Sequence, residues 1–248
     1  MRYFIKLAYN GSPFVGWQTQ PNGPSVQAEL QRVFSMLLKE NIEITGCGRT
    51  DAGVHAACFY AHFDFQKELN TSSLKRLLFK VNALLPKEIA LFSIFPVADD
   101  AHARFSAVDR TYKYYISFEK DPFSYNTTWR QFESLDLDIM NQGAEILLHT
   151  SDFTSFSKLH TDVNNNVCQV TFAHWYFENN KLVFEITANR FLRNMVRAIV
   201  GTLMLLGKNK ITIDQFKKII SDKNRSKAGT SVPAHALFLE NVRYPFLN

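Results

Sequence analysis

Apolar residues at strand period, then at helical spacing, with the same plan repeated in the second half, constrain this chain more than any other feature. Tyr3, Ile5, Leu7 and Tyr9 alternate with Phe4, Lys6 and Ala8, which describes a strand with one preferred apolar face. Behind a candidate N-cap at Ser25, Val26, Leu30, Val33, Phe34, Leu37 and Leu38 form one helical stripe. Phe59, Ala61, Phe63 and Phe65 mark a second strand, and Leu74, Leu77, Leu78 and Val81 a second helix ended near Pro86, before a strand-like run from Ile89 to Val97. Beyond it, Tyr112, Tyr114, Ile116 and Phe118 read as a strand, and Ile139, Met140, Ile146 and Leu147 as a helix. Strands at about Val167 to Phe177 and Leu182 to Ala188 follow, then a helix from about Arg190 to Leu206 ended by Gly207. Thr212 and Gln215 form a capping box for a last helix, and Leu237 to Val242 reads as a closing strand. The expectation is two α+β lobes, 1–104 and 105–248, whose sheets join, with a cleft between them. No low-complexity segment or long linker separates them.

With 248 residues and 46% hydrophobic residues, the chain can build such cores, so disorder is not its dominant state. A net charge of +5 and 14% aromatic residues lean towards a polyanionic partner. Cys47, Cys58 and Cys168 lie far apart and form no CxxC pair, which fits a reducing compartment without disulfide or structural zinc. The longest apolar segment, Ala198 to Leu206, is too short to span a bilayer. A soluble cytoplasmic protein with no membrane partner is expected.

Several chemistries find no support. HExxH, HxE with PCxxC, and GxSxG are all missing, which sets aside zinc proteases, zinc deaminases and serine hydrolases. Gly201 to Lys208 imitates a phosphate-binding loop but has five residues between its glycines and Asn209 in place of Ser or Thr. Asp136 and Asp138 resemble an aspartyl-phosphotransferase pair, yet carboxylates opening an amphipathic helix are explained by capping and the helix dipole. The seven histidines show no ligand spacing, so no metal is expected.

Against this background one loop stands out. Gly46-Cys47-Gly48-Arg49-Thr50-Asp51-Ala52-Gly53-Val54-His55 places an arginine two residues from an aspartate among three glycines. Such a loop can present a carboxylate, and a neighbouring guanidinium fixes its direction. The competing reading is an Asx-turn in which Asp51 bonds only its own backbone. Arginine placement adds weight. On the helix expected from Arg190, Arg190, Arg193 and Arg197 fall at i, i+3 and i+7 and share a face, either a solvated stripe or a set of phosphate or carboxylate ligands. His102-Ala103-Arg104-Phe105-Ser106 and Arg110-Thr111-Tyr112-Lys113-Tyr114-Tyr115 interleave basic and aromatic residues as an RNA-facing strand does, with sheet core as the alternative for Tyr112 and Tyr114.

These residues carry a family resemblance. The chain resembles the TruA family of tRNA pseudouridine synthases nearly end to end, through Tyr9-Asn10-Gly11-Ser12, Gly16-Trp17-Gln18, Ser25-Val26-Gln27, Gly48 to His55, His102 to Ser106, and Arg110 to Tyr114. The likeness continues in Asp152 to Phe156, Met195-Val196-Arg197 with Ile199-Val200-Gly201, and Ala228 to Val242. It implies the pseudouridine synthase fold, two ferredoxin- or RRM-like α+β lobes sharing an antiparallel sheet. It implies isomerisation of uridines 38, 39 and 40 of the tRNA anticodon arm by a homodimer that uses no cofactor or metal. By resemblance Asp51 is the nucleophile, Arg49 its neighbour, Arg197 its partner, and Tyr112 stacks in the uracil pocket. Arg104, Arg110, Arg190 and Arg193 are the candidate RNA ligands.

Asn10 stands where the family commonly has Asp, and His235-Ala236 departs from its usual C-terminal motif. A non-catalytic RNA-binding module is the competing class, and a pseudouridine synthase with other RNA targets the closer alternative. The reaction breaks the C1′–N1 bond, turns the uracil and forms a C1′–C5 bond, with no net redox change. Attack by the carboxylate at C6, attack at C1′, and proton removal from C2′ all remain open routes.

Overall fold

The computed structural model describes residues 1–158 and 165–247, which divide into two compact units: Met1–Val108 with Phe238–Asn248, and Asp109–Leu237. In the first, β1 (Arg2–Tyr9) lies between β3 (His55–Asp64) and β4 (Ile89–Val97), antiparallel to both, and β2 (Thr45–Gly46) adds to β3. Two helices, α1 (Val26–Leu38) and α2 (Thr71–Leu84), begin at the side-chain caps Ser25 and Asn70, which accept from Ala28 and Ser73 N–H. Phe34 of α1 meets Phe63 of β3, whose ring stacks on Tyr3, so the alternation read from β1 and β3 describes the helix-facing side.

The opposite side of the same strands is also covered. Phe4 packs edge-on against Tyr244 and Phe246, Tyr60 against Tyr244, and the Tyr244 hydroxyl donates to Ala103 C=O. The C-terminal segment therefore completes the first unit, although the sequence pattern assigns it to the second lobe. Its strand β9 (Leu237–Arg243) runs parallel to β3, with His55 opposite Phe238. The division falls between Val108 and Asp109, where β5 begins, four residues beyond the boundary expected from sequence.

The second unit has β8 (Lys181–Ala188) antiparallel to both β5 (Asp109–Ser117) and β7 (Val170–Glu178), with β6 (Trp129–Arg130) parallel to β5. Helix α3 (Leu137–Leu148) is capped by Asp136, which accepts from Ile139 N–H, as the capping explanation of that carboxylate expects. Asn141 clips α3 to β7, accepting from Trp175 N–H at 2.8 Å and donating to Trp175 C=O at 3.1 Å. Helix α4 (Met195–Gly207) is buried along almost its whole length, and α5 (Ile213–Ser221) opens with the expected Thr212/Gln215 capping box. Both units are mixed α+β, and among the described residues the strand pairings within them are antiparallel except for β3–β9 and β5–β6.

Candidate active site

Asp51 lies in the loop that joins β2 to β3, and a second loop, residues 10–17, holds that loop from behind. Thr50 is buried, and its hydroxyl shares a 2.9 Å hydrogen bond with the hydroxyl of Tyr9 at the end of β1. The Thr50 carbonyl accepts from Trp17 N–H at 3.3 Å. Gly16 adopts φ +115°, and a Cβ there would lie 2.5 Å from the Thr50 carbonyl oxygen, so neither its conformation nor its space suits another residue. On the far side of Asp51, Gly53 turns the chain at φ +78° and donates to Phe14 C=O, and Val54 N–H closes the turn on Asp51 C=O at 3.1 Å. Closure of this turn thus runs through the backbone. His55 is buried, stacks on Phe238, and accepts from Gly11 N–H at Nδ1, which makes it part of the frame. The Asp51 side chain is half-exposed and that of Arg49 exposed. Of the other two loop glycines, Gly46 packs on the Trp17 ring, whereas Gly48 faces open space.

Arg197 is on the first turn of α4 and is held by a strap, residues 228–233, that crosses the helix. Its Nε–H donates to Val232 C=O at 2.7 Å, while Val232 N–H donates back to Arg197 C=O at 3.2 Å. This reciprocal pair fixes the guanidinium plane. The strap is tied down by Arg225, which donates to Gly229 C=O and Ser231 Oγ, by Asn194, which donates to Ser231 Oγ at 2.6 Å, and by Thr202, which accepts from Gly229 N–H. Beyond the strap, the Tyr114 hydroxyl donates to Pro233 C=O, and burial pushes its pKa up. His235, one of the departures from the family motif, has Nε2 3.1 Å from Thr128 C=O.

The expected arginine stripe does not form. Helix α4 starts at Met195, not near Arg190, because Asn194 takes the left-handed conformation at φ +66°. Arg190 and Arg193 therefore precede the helix, and only Arg197 is on it; Arg193 is exposed and Arg190 half-buried. The segment His102–Ser106 is likewise a turn and not a strand, with His102 Nδ1 accepting from Arg104 N–H and Ser106 N–H donating to His102 C=O. Arg104 is exposed, with its guanidinium 5.5 Å from the centre of the equally exposed Phe105 ring. Arg110 donates to Asn189 C=O at 2.8 Å. Tyr112 and Tyr114 do share a face of β5, but they differ: Tyr114 is core, and Tyr112 is half-buried with its ring edge-on to Phe191 at 5.1 Å. Among the described residues, no group of His, Cys, Asp and Glu side chains is arranged to hold a metal ion, and no helix is long and apolar enough to cross a membrane.

Residues 143–245 match the model of a tRNA pseudouridine synthase family. A tRNA pseudouridine synthase A of Parabacteroides distasonis is 52% identical over 244 residues, covering 98% of this chain and 96% of that protein. The chain belongs to the tRNA pseudouridine synthase A family. Another member, from Bacteroides fragilis, is 51% identical over 245 residues (98% and 96% of the two chains), and one from Francisella tularensis subsp. novicida is 36% identical over 246 residues (98% and 94%). As a pseudouridine synthase the protein is an isomerase, and its fold is that of the family. The sequence motifs include Tyr9, Gly16 and Ser231 but do not show that Tyr9 and Gly16 hold the Asp51 loop, or that Asn194, Arg225 and Ser231 hold the strap over Arg197. Gly201, inside an otherwise apolar helix, was the one visible signal of the strap, since a Cβ there would collide with Thr230 C=O.

Proposed function

We propose that this synthase converts uridines 38, 39 and 40 of the tRNA anticodon arm to pseudouridine, with Asp51 as the nucleophile. The observation that carries the proposal is the Asp51 loop, clamped on both sides by backbone and side-chain bonds, in a chain that matches a tRNA pseudouridine synthase A over nearly its full length. A carboxylate carried on a fixed backbone suits a group that must meet one atom of an extruded base. In this reading Arg49 and Arg197 orient the carboxylate and Tyr112 stacks on the uracil. The base loses its N1–C1′ bond, rotates, bonds C1′ through C5, and gives up the C5 proton while N1 gains one. Extrusion costs a few kcal/mol, offset by contacts from Arg104, Arg110, Arg190 and Arg193 to phosphates. The working form is a cytoplasmic homodimer that grips one tRNA across both subunits. The catalytic loop belongs to the first unit.

The test is incubation of the protein with unmodified tRNA transcripts, without metal or nucleotide, followed by mapping of pseudouridine. Product confined to positions 38 to 40 is expected, and Asp51→Asn should yield none while binding the transcript undiminished. Product elsewhere would overturn the positional assignment. Binding that fails in step with activity would remove Asp51 from the nucleophile's role.

A further inference from the structure

We infer that the Tyr9 hydroxyl is a positioning group for catalysis, acting on Asp51 through Thr50; the inference rests on the reading of Asp51 as nucleophile. Tyr9 is 4% exposed and Thr50 8%. The pair is not needed to fill space, since Phe and Val have nearly the same shapes and bury without any polar group to satisfy. A hydrogen bond between two buried hydroxyls adds little net stability, because both groups have given up water to make it. What they add is direction. An apolar contact tolerates rotation and sliding, whereas a 2.9 Å hydrogen bond fixes the Thr50 rotamer and with it the backbone that carries Asp51.

The surroundings make this bond a stiff tether. The Tyr9 ring lies 5.5 Å from Phe59 and 6.3 Å from Trp17, and Trp17 stacks on Phe59 at 4.1 Å, so the phenol is held by two rings. Tyr9 also falls at a one-residue register shift: Leu7 pairs with Phe59, but Tyr9 pairs with Ala56. Such irregularities re-aim side chains, and this one is adjacent to the strand end that receives the Asp51 loop. Thr50 is thereby constrained at two atoms, its hydroxyl by Tyr9 and its carbonyl oxygen by Trp17 N–H. Asp51 follows directly, so an angular change at Thr50 is passed to the carboxylate with the full length of the side chain as lever.

The experiment compares Tyr9→Phe, Thr50→Val and Thr50→Ser with the wild-type protein on an unmodified tRNA transcript, measuring the single-turnover rate, the Kd for the transcript and the melting temperature. Tyr9→Phe and Thr50→Val should each lower the rate by at least about tenfold, a modest loss for a misplaced catalytic group, while Kd stays unchanged. Thr50→Ser, which keeps a hydroxyl, should recover most of the rate, and the double variant Tyr9→Phe/Thr50→Val should be no slower than the worse single. Wild-type rates in both single variants would overturn the inference and leave the Asp51 reading standing. So would a rate loss matched by loss of tRNA binding, or one that Thr50→Ser fails to rescue. No pseudouridine from the wild-type protein would overturn the Asp51 reading itself and the inference with it.

Discussion

His62 shows how one buried side chain sets a condition on the whole first unit. It is 5% exposed, lies against Phe4 and His102, and accepts from Ala103 N–H at Nδ1. Burial above all, then the charge of Arg2 and the neighbouring His102, lowers its pKa from 6.5 to about 4. The folded protein thus refuses a proton that the unfolded chain takes up below about pH 6.5, so stability falls as pH drops from there to about 4 and levels off below. The loss should reach about 2 kcal/mol by pH 5 and about 3 kcal/mol by pH 4. His102, also lowered by burial, works in the same direction. Asp64, whose carboxyl is lowered by its hydrogen bonds from Arg2, adds its own loss only below the ordinary carboxylate range. Urea unfolding at pH 7.5 and 5 should show the difference, and His62→Gln should flatten it; an unchanged slope in that variant would assign the effect elsewhere. Legibility at this scale follows chemistry. Arg49 and Asp51 stand two residues apart in one loop and are visible in the sequence as candidates, whereas Tyr9 with Thr50 and His62 with Ala103 depend on strand register and loop return across about forty residues.

Elements were read best where periodicity and caps agreed. Ser25, Thr212 and the β4 run Ile89–Val97 fall where the pattern puts them. The start of α4 differs from the sequence pattern because Arg190 to Asn194 continues the helical spacing, and nothing in that spacing encodes the left-handed φ of Asn194. Asparagine tolerates that conformation, and here its side chain is anchored to Ser231. The strap that supplies Ser231 is itself seated on Gly201, which leads to a test of the element. Gly201→Ala would gain about 1 kcal/mol of intrinsic helix propensity. The same Cβ would collide with Thr230 C=O, and overpacking of this kind costs about 1–3 kcal/mol. Because the carbonyl belongs to a strap tied by Arg225, Asn194 and Thr202, relief by movement is blocked and the clash should prevail. A lowered melting temperature is expected, with a larger fall in turnover than in tRNA affinity, since Val232 would no longer hold Arg197. A stabilised, fully active variant would show that the strap yields freely.

At the scale of the molecule, what the sequence hid is long-range. Tyr244 and Phe246 cover Phe4 of β1 from more than two hundred residues away, and no local pattern links them to it. What it displayed is charge. A net +5 on 248 residues makes the affinity for tRNA fall with salt, because each phosphate neutralised by a cation releases a counterion. The arginines do not contribute alike. Arg110 is bonded to Asn189 C=O and Arg225 to Gly229 C=O, so removing either disturbs folding as well as charge. Arg193 is exposed in the turn before α4, and its backbone carbonyl accepts from Lys158 N–H at 3.1 Å. Arg193→Ala keeps that backbone bond and should weaken binding across all tRNA sequences and reduce the slope of log K against log salt by about one. Filter binding of a transcript from low to moderate salt measures it. A weaker affinity with the slope unchanged would mean that Arg193 acts on the fold of the turn and not on a phosphate.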